Sequence, residues 1–508
     1  MSVLDHWHSN LSWRSLGDRL EAMPMLAVVI PVILGIVFAN NYYTPIWIVC
    51  GGLSFFTIGA LYARPYWVSQ CYLMLLPILF GMLLVATRTT VASTPYDTPV
   101  EMQVSIVSPI AEREGYSVAE GRIEAWIESD VWYDARDRVQ LWIRCDSLDY
   151  GDRVHIVGEL QERVSKFGEY NALMHNRGYV GGVALSEWQI LDVEHDKAGG
   201  VRRYAIEKLG RYAKDTASHS VVEGMVAGSR SSMPSALRES YSATGLSHIL
   251  AVSGLHLGII LLVINLLLTP LKLLHRGHII ADILAVAVLW LFVAMSGASP
   301  SVVRAALMFS VLQLVKNSTT NYNPVNALAV AVFVMLFCNP QTLCYISFQL
   351  SVLAVLGIVA WGVPIVRDIK FRSRVVNSLL STFVIGVVAT LWTLPVVSAT
   401  FGNIPIVGVV ATPIVLLTAY AIVGCGVMTL LLPHPVAQYF ALCAEWMASV
   451  QNIVVEWFAN LSFASVEHTL STPAIAIYYT LFALATLVLW SHKPKKKTDL
   501  FSLAQFEK

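Results

Sequence analysis

Eleven long apolar segments constrain the fold of this chain more than any other feature. A helix needs roughly 17 to 25 mostly apolar residues to cross a bilayer, and 56% of the 508 residues are hydrophobic while only 13% are charged. The segments lie at 24–40, 45–62, 71–88, 246–268, 279–296, 301–315, 324–338, 347–363, 376–399, 405–432 and 474–490. Several are short or contain Pro, so we expect a polytopic α-helical membrane protein with about ten to twelve spans.

The positions of Lys and Arg predict how the chain crosses the membrane, because cytoplasmic loops are enriched in these residues. The connections near 40–45, 297–300, 339–346, 400–404 and 461–473 contain none. The alternate connections and the termini contain Arg14, Arg19, Arg64, Lys272, Arg276, Lys316, Arg367, Lys370, Arg372, Arg374, Lys493, Lys495, Lys496 and Lys497. We therefore expect both termini in the cytoplasm and the polar region at 95–200 outside it.

Residues 95–200 are predicted to form an extracytoplasmic all-β domain. Five segments alternate partly between apolar and polar residues: "VEMQVSIVS", "SVAEGRIEAWIES", "DRVQLWIRCD", "DRVHIVGELQ" and "GGVALSEWQIL". Five short strands predict a small barrel of the OB type, with a five-stranded sandwich as the alternative. The seven cysteines show no metal-ligand spacing, so neither a metal nor another cofactor is expected.

A basic segment follows the β domain. The sequence "VRRYAIEKLGRYAKDTA" at 201–217 is predicted to be one helix at the outer membrane surface. Its cations are Arg202, Arg203, Lys208, Arg211 and Lys214. They either rest on lipid headgroups or gather an anionic ligand.

Polar residues interrupt the fourth apolar segment, in "GLSHILAVSGLHLG" at 245–258. A helix break at Ser253 and Gly254 would start a second half-helix whose free amides bind anions, and broken helices are tolerated where they line a cavity. Alternatively, the small residues only allow close helix packing. His256 lies within the same segment.

Three later segments carry further intramembrane polar residues. Arg304 either reaches the outer interface or faces an internal path, where its guanidinium would hold a phosphate. Gln349 either bonds to a neighbouring helix or lines a pore. In 436–460, polar residues spaced by seven, seven and four form one stripe, favouring an interfacial helix over one that lines an aqueous cavity.

The signature "GLSHILAVSGLHLG" resembles that of the ComEC family, inner-membrane channels that carry transforming DNA into naturally competent bacteria. The similarity covers about 225–432 and continues, in the family's order, through other segments. These are "SGASPSVVRAALM", "NPVNALAVAVFVMLFCNPQTL", "SFQLSVLAVLGI", "ATLWTLPVV" and "FGNIPIVGVVATPIVLL".

This resemblance implies that the chain passes single-stranded DNA across the bacterial inner membrane. It also implies an extracytoplasmic DNA receptor, a cytoplasmic helicase-type motor and contact with the lipid bilayer. Ser253, Gly254, His256, Arg304 and Gln349 become candidates for the DNA path. The five cations at 201–217 become candidates for gathering DNA outside.

Two departures from the family pattern matter. Many members end in a metallo-β-lactamase-like domain, and this sequence contains no H-x-H-x-D-H motif, so we expect a non-enzymatic channel, with any nuclease supplied separately. The second departure is charge: 95–200 contains 20 acidic and 10 basic residues, whereas a strand-binding OB domain usually offers a basic groove. Trp126, Trp132, Tyr133 and Trp142 remain candidates for base stacking.

The sequence leaves other functions and assemblies open. A secondary transporter of a small anionic solute would use the same broken helix, although no internal repeat supports it. An intramembrane serine hydrolase would use Ser253 and a nearby histidine, but no orienting acid is evident. The channel could be built from one chain or a homodimer.

The predicted organisation has six parts. They are three N-terminal spans at 1–92, the β domain at 93–200, a basic helix and linker at 201–244, a competence-type membrane domain at 245–432, an amphipathic helix and last span at 433–490, and a basic cytoplasmic tail at 491–508.

Overall fold

The computed structural model describes most of the chain, including all of the segments that carry candidate site residues. The described residues are 23–42, 45–62, 66–87, 94–107, 110–113, 116–128, 131–144, 148, 151–162, 179–194, 197–229, 232–250, 252–273, 276–296, 298–315, 323–368, 374–405, 407–461, 465–467 and 470–491. Most of the tail lies outside these ranges, as do the predicted cytoplasmic cations Arg14, Arg19, Arg64, Lys316, Lys370, Arg372, Lys493, Lys495, Lys496 and Lys497.

Three apolar helices open the described part of the chain. They are α1 (Pro24–Asn41), α2 (Ile46–Tyr62) and α3 (Tyr66–Ala86). Helices α1 and α3 approach closely because glycines face each other's backbone. A Cβ on Gly35 would lie 1.9 Å from the Ile78 carbonyl oxygen, and one on Gly81 would lie 2.2 Å from that of Val32. Small residues allow such packing where lipid provides no hydrophobic drive between helices.

The β domain is a closed barrel, so the barrel prediction is confirmed over the sandwich. Its strands are β1 (Pro99–Ile106), β2 (Ala111–Arg113), β3 (Tyr116–Glu128), β4 (Val131–Ile143), β5 (Arg153–Gln161), β6 (Gly181–Leu185) and β7 (Ile190–Glu194). Pairing runs β1–β3–β4–β6–β5 and closes from β5 back to β1, with only β4 and β6 parallel. The fifth predicted strand is split, because a 3-10 turn at Glu187–Gln189 separates β6 from β7.

The membrane domain follows as a further series of helices. They are α4 (Lys197–Gly210), α5 (Thr216–Val226), α6 (Ser235–Ala243), α7 (Ser247–Leu250), α8 (Gly254–Leu267), α9 (Gly277–Met295), α10 (Pro300–Val315), α11 (Pro324–Cys338), α12 (Ile346–Gly357), α13 (Val363–Asp368), α14 (Arg374–Phe401), α15 (Gly408–Leu431), α16 (Val436–Ala459) and α17 (Thr472–Ser491). A π turn at Ile358–Gly362 joins α12 to α13.

An apolar helix occupies each of the eleven predicted apolar segments. Among the described residues, five stretches are long and apolar enough to cross a membrane: Pro24–Asn41, Gly277–Met295, Ile346–Arg367, Leu380–Thr400 and Gly408–Leu431. Six others are apolar but shorter. A membrane protein with a β domain is therefore supported, and the number of spans stays a prediction.

A continuous apolar core connects the second half of the chain. Buried residues from α4 through α10 and from α15 and α16 form one cluster, while α1 and α3 pack with α11 and α12 in another. Helices α15 and α16 form an antiparallel hairpin, and the short strands β8 (Asn403–Pro405) and β9 (Ser465–Glu467) pair across its open end. This core positions the broken signature segment.

Candidate functional site

The signature segment is broken at Ser253 and Gly254. The four-residue helix α7 ends at Leu250, Ser253 has an extended backbone, and α8 begins at Gly254. Within the fourth apolar segment, the break has only the four-residue α7 before it and the 14-residue α8 after it. Gly245, at φ +73°, turns the chain immediately upstream of α7.

Ser253 caps the new helix together with His256. The Ser253 backbone N–H donates to His256 Nδ1 at 2.9 Å, and the Ser253 hydroxyl lies 2.9 Å from the same nitrogen. Because Nδ1 accepts from the backbone, the proton of the neutral ring is on Nε2. The imidazole is 1% exposed, and Nε2 has no hydrogen-bond partner among the described residues.

Arg304 lies beside the first turn of α8 and is buried. It is only 5% exposed, and a Cβ on Gly254 would lie 3.5 Å from its Nη2 atom and 3.1 Å from the Ala305 Cβ. The absence of a side chain at Gly254 lets the guanidinium pack against the helix start, and this burial favours the internal position for Arg304 over the interfacial one. Its Nη1 atom lies 3.8 Å from the Met308 sulfur.

The guanidinium of Arg304 is unusual in having so few polar contacts. Its Nε atom has no hydrogen-bond partner in the described part of the chain. Within the same residues, the ion pairs do not include Arg304. A buried charge without a partner is costly, so a ligand anion is the simplest group that would compensate it.

Gln349, the remaining path candidate, takes a different partner. Its side-chain amide donates to the Leu343 carbonyl at 2.9 Å, within the turn before α12. The contact from α12 to the Arg304 helix comes from Ser351, whose hydroxyl lies 2.9 Å from that of Ser301. The structure thus brings Ser253, Gly254, His256 and Arg304 together, whereas Gln349 stabilises a turn.

The basic segment at 201–217 is not one helix, so that prediction is wrong. Helix α4 ends at Gly210 and α5 begins at Thr216, with Asp215 as its N-cap. The Asp215 carboxylate accepts bonds from the Ser218 backbone at 2.9 Å and from the Ser218 hydroxyl at 2.7 Å. Such a cap favours a helix start and so interrupts the run.

The five cations of this segment have different surroundings. Arg202 is 5% exposed, and its guanidinium lies 3.4 Å from the Gly228 carbonyl. Arg203 lies 4.0 Å from Asp152 of the barrel. Lys208 donates to the carbonyls of Leu430 and Leu432 at the end of α15, at 2.8 and 3.1 Å.

Arg211 and Lys214 are the exposed members of the set. They line a cleft of about 200 Å³ with Tyr212, Ala213, Gln438 and Leu442. Cations at this cleft can contact anions from solvent. The cations that bond the protein's own carbonyl groups cannot do so in the same way.

The centre of the polar stripe on α16 faces protein, whereas its ends at Gln438 and Glu456 are exposed. Glu445 is 8% exposed and accepts from the Lys214 backbone N–H at 3.2 Å, and Asn452 is 6% exposed and accepts from the Tyr241 hydroxyl at 3.0 Å. The interfacial and cavity-lining interpretations are therefore both wrong for the centre of the stripe. Helices α5 and α6, which the sequence did not place there, cover it.

The structure contains a buried polar cluster that was not predicted from the sequence. The Gln313 amide of α10 donates to Asp282 of α9 at 2.7 Å and to Asn265 of α8 at 3.0 Å. A carboxylate within an otherwise apolar run is a recognisable signal, and Asp282 in "HIIADILAVAV" provided it.

The segments quoted from "GLSHILAVSGLHLG" onward contact one another. A Cβ on Gly245 would lie 2.4 Å from Pro405 of "FGNIPIVG", and one on Gly258 would lie 3.5 Å from Phe309. Gly357 packs on Trp392 of "ATLWTLPVV" in the same manner. One connected region therefore surrounds the break and Arg304.

Comparisons with known proteins agree with this region. Residues 225–493 match the sequence profile of the family described as Competence protein. ComE operon protein 3 of Bacillus subtilis (strain 168) is 26% identical over 245 residues, which is 48% of this chain and 30% of that protein. No solved structure matches the chain. Because the family profile covers more than half of its residues, the chain belongs to the competence protein family, the ComEC family that its signature resembles.

Proposed function

We propose that this protein translocates single-stranded DNA across the bacterial inner membrane during competence DNA uptake. The observation that carries the proposal is the buried Arg304 beside the broken start of α8, whose Nε has no hydrogen-bond partner among the described residues. A backbone of phosphates is the polyanion that such a site would meet in a competence protein.

The proposed path includes Ser253, Gly254, His256 and Arg304. Broken helices inside membranes are tolerated where they line a cavity, and Ser253 and Gly254 are only half-buried. Gln349 acts on the path through the turn that it stabilises. The similarity to a Bacillus protein of the ComE operon supports the competence role.

The barrel is proposed to receive the strand outside the cytoplasm, with both termini inside. The one-sided distribution of Lys and Arg supports this orientation, and the closed five-strand ring supports the OB type. Arg211 and Lys214 at the cleft would attract phosphates, assisted by Arg203. We propose an outer DNA receptor and an inner helicase-type motor as the partners for this role.

The serine hydrolase alternative meets a geometric objection. Ser253 and His256 are in contact, but the Ser253 backbone N–H occupies the Nδ1 lone pair that a general base would need. The second histidine, His248, donates to the Gly245 carbonyl at 2.8 Å. A solute transporter would be distinguished by uptake of small anions into proteoliposomes without a DNA phenotype.

A clean deletion tests the proposal. We expect the deletion to abolish transformation while DNA still binds at the cell surface.

Complementation of the deletion strain with Arg304→Gln should restore about tenfold less transformation than the wild-type gene does, because a charge-assisted contact contributes about 1.5–3 kcal/mol. Arg304→Lys keeps the charge and should fall between them. Arg276→Gln, at an exposed position before α9, is the control. Normal transformation in the deletion strain would refute the proposal.

A further inference from the structure

The start of α8 and Arg304 together have the properties of an oxyanion site. In a helix of 14 residues, the first N–H groups have no intrahelical acceptor, and the first such bond here runs from Leu257 N–H to the Ser253 carbonyl. The amides of Gly254 and Leu255 therefore precede the hydrogen-bonded part of α8. They lie at the positive end of its dipole.

Arg304 supplies a second, independent feature of the same site. Its side chain is more than nine-tenths buried, its Nε has no partner among the described residues, and its Nη2 faces the position that a Gly254 side chain would fill. The guanidinium and the start of α8 therefore lie next to each other. Neither has a negatively charged protein partner in the described part of the chain.

We propose that this site binds the oxyanion of one phosphodiester group at a time. A guanidinium can donate two parallel bonds to a phosphate, and the backbone amides of a helix start suit the same group. A single cation with few donors would hold each phosphate weakly enough to release it. The inference rests on the proposed function for the source of the phosphodiester, which a lipid headgroup could also supply.

Glycine at 254 is necessary for this geometry. A Cβ there would be 3.1 Å from Ala305 and 3.5 Å from Arg304 Nη2, so Gly254→Ala would fill the space between guanidinium and helix. Gly258 offers a matched control, because it lies one turn further along α8 and its Cβ would make an ordinary 3.5 Å contact with Phe309 of the same neighbouring helix.

The test uses the full chain purified in a maltoside detergent without added phospholipid. Thermal unfolding is followed at constant ionic strength while chloride is replaced by dimethyl phosphate, the simplest phosphodiester. A ligand that binds only the folded state raises the unfolding midpoint. We expect a concentration-dependent rise for wild type and Gly258→Ala. We expect at least tenfold weaker apparent affinity for Arg304→Gln and Gly254→Ala, and an intermediate value for Arg304→Lys.

An equal rise in all five proteins, or no rise in wild type, would overturn the oxyanion site. Competition with a short oligothymidylate and, separately, with a short-chain phosphatidylglycerol identifies the source of the group. Displacement of dimethyl phosphate by the oligonucleotide supports a DNA-binding site. Displacement by the lipid alone would leave the oxyanion site standing and contradict the proposed function at this position.

Discussion

At the residue scale, single glycines determine the backbone path around the signature. Gly245 has φ +73°, a conformation that other residues adopt at a cost, and its Cβ position is 2.4 Å from Pro405. We predict that Gly245→Ala lowers the stability of the purified protein by about 1–3 kcal/mol. Gly386→Ala in α14 meets open space and should change the unfolding midpoint far less. Equal midpoints for the two variants would contradict the strain at Gly245.

Asp215 gives a pH-dependent prediction, because its cap holds the start of α5. The bonds from the Ser218 hydroxyl and backbone lower the pKa of the Asp215 carboxyl below its ordinary value. A lowered pKa means that the carboxylate stabilises the fold above about pH 4, and that this contribution disappears as the pH falls through the folded-state pKa.

We predict that Asp215→Ala loses about 1 kcal/mol at neutral pH, the usual contribution of a cap. The difference between wild type and variant should shrink below about pH 4. Urea unfolding at neutral and acidic pH measures it. A difference that is constant with pH would show that the carboxylate charge contributes nothing.

At the scale of helices and strands, the apolar pattern predicted the existence of the helices better than their boundaries. Every apolar segment contains an apolar helix. Burial of a helix in lipid and burial in protein both require apolar residues over several successive turns. The partners of α16 were not predictable, because a polar stripe is compatible with water, headgroups or protein. Only the fold shows that Asn452 meets Tyr241 of α6, and that Glu445 meets α5 and the turn between α4 and α5.

The hydrogen-bond network between α6, α15 and α16 gives an element-scale prediction. The Tyr241 hydroxyl accepts from Gln451 at 2.8 Å and donates to Asn452, and Gln451 accepts from Thr418 at 2.8 Å. Tyr241→Phe would leave buried amide groups unsatisfied, so we predict a loss of about 1–3 kcal/mol.

Thermal unfolding of Tyr241→Phe measures that loss, with Tyr420→Phe as the control, because the Tyr420 side chain on α15 is 41% exposed. A midpoint equal to that of wild type would mean that water replaces the lost bonds and that the network does not hold α6 in place.

At the scale of the whole molecule, Arg138 connects the barrel to the membrane domain. Arg138 of β4 pairs with Glu120 at 3.0 Å, hydrogen bonds the Tyr345 hydroxyl and lies 5.1 Å from the centre of the Tyr179 ring. Tyr345 precedes α12, whose Ser351 contacts Ser301 near Arg304. The sequence predicted both units but not this contact, since nothing in the pattern of either unit identifies the other.

We predict that Arg138→Ala loosens the barrel from the membrane domain without unfolding it. Limited proteolysis of the intact protein should then cleave the junction after β7 faster than in wild type, with the Arg153→Ala variant as the control. Arg153 makes exposed ion pairs within the barrel only, and these contribute little. Equal cleavage rates in both variants would assign Arg138 to the barrel alone.

A cysteine scan during uptake tests whether DNA passes the broken start of α8. Single cysteines at positions 253, 255 and 257, which leave Gly254 intact, would be introduced into a functional variant without the seven native cysteines and treated with a membrane-impermeant thiol reagent. We predict labelling at 253 and 255, which are half-buried, none at the fully buried 257, and protection of the first two while transforming DNA is entering. Absence of labelling at all three positions, or labelling that incoming DNA leaves unchanged, would show that DNA does not pass this segment.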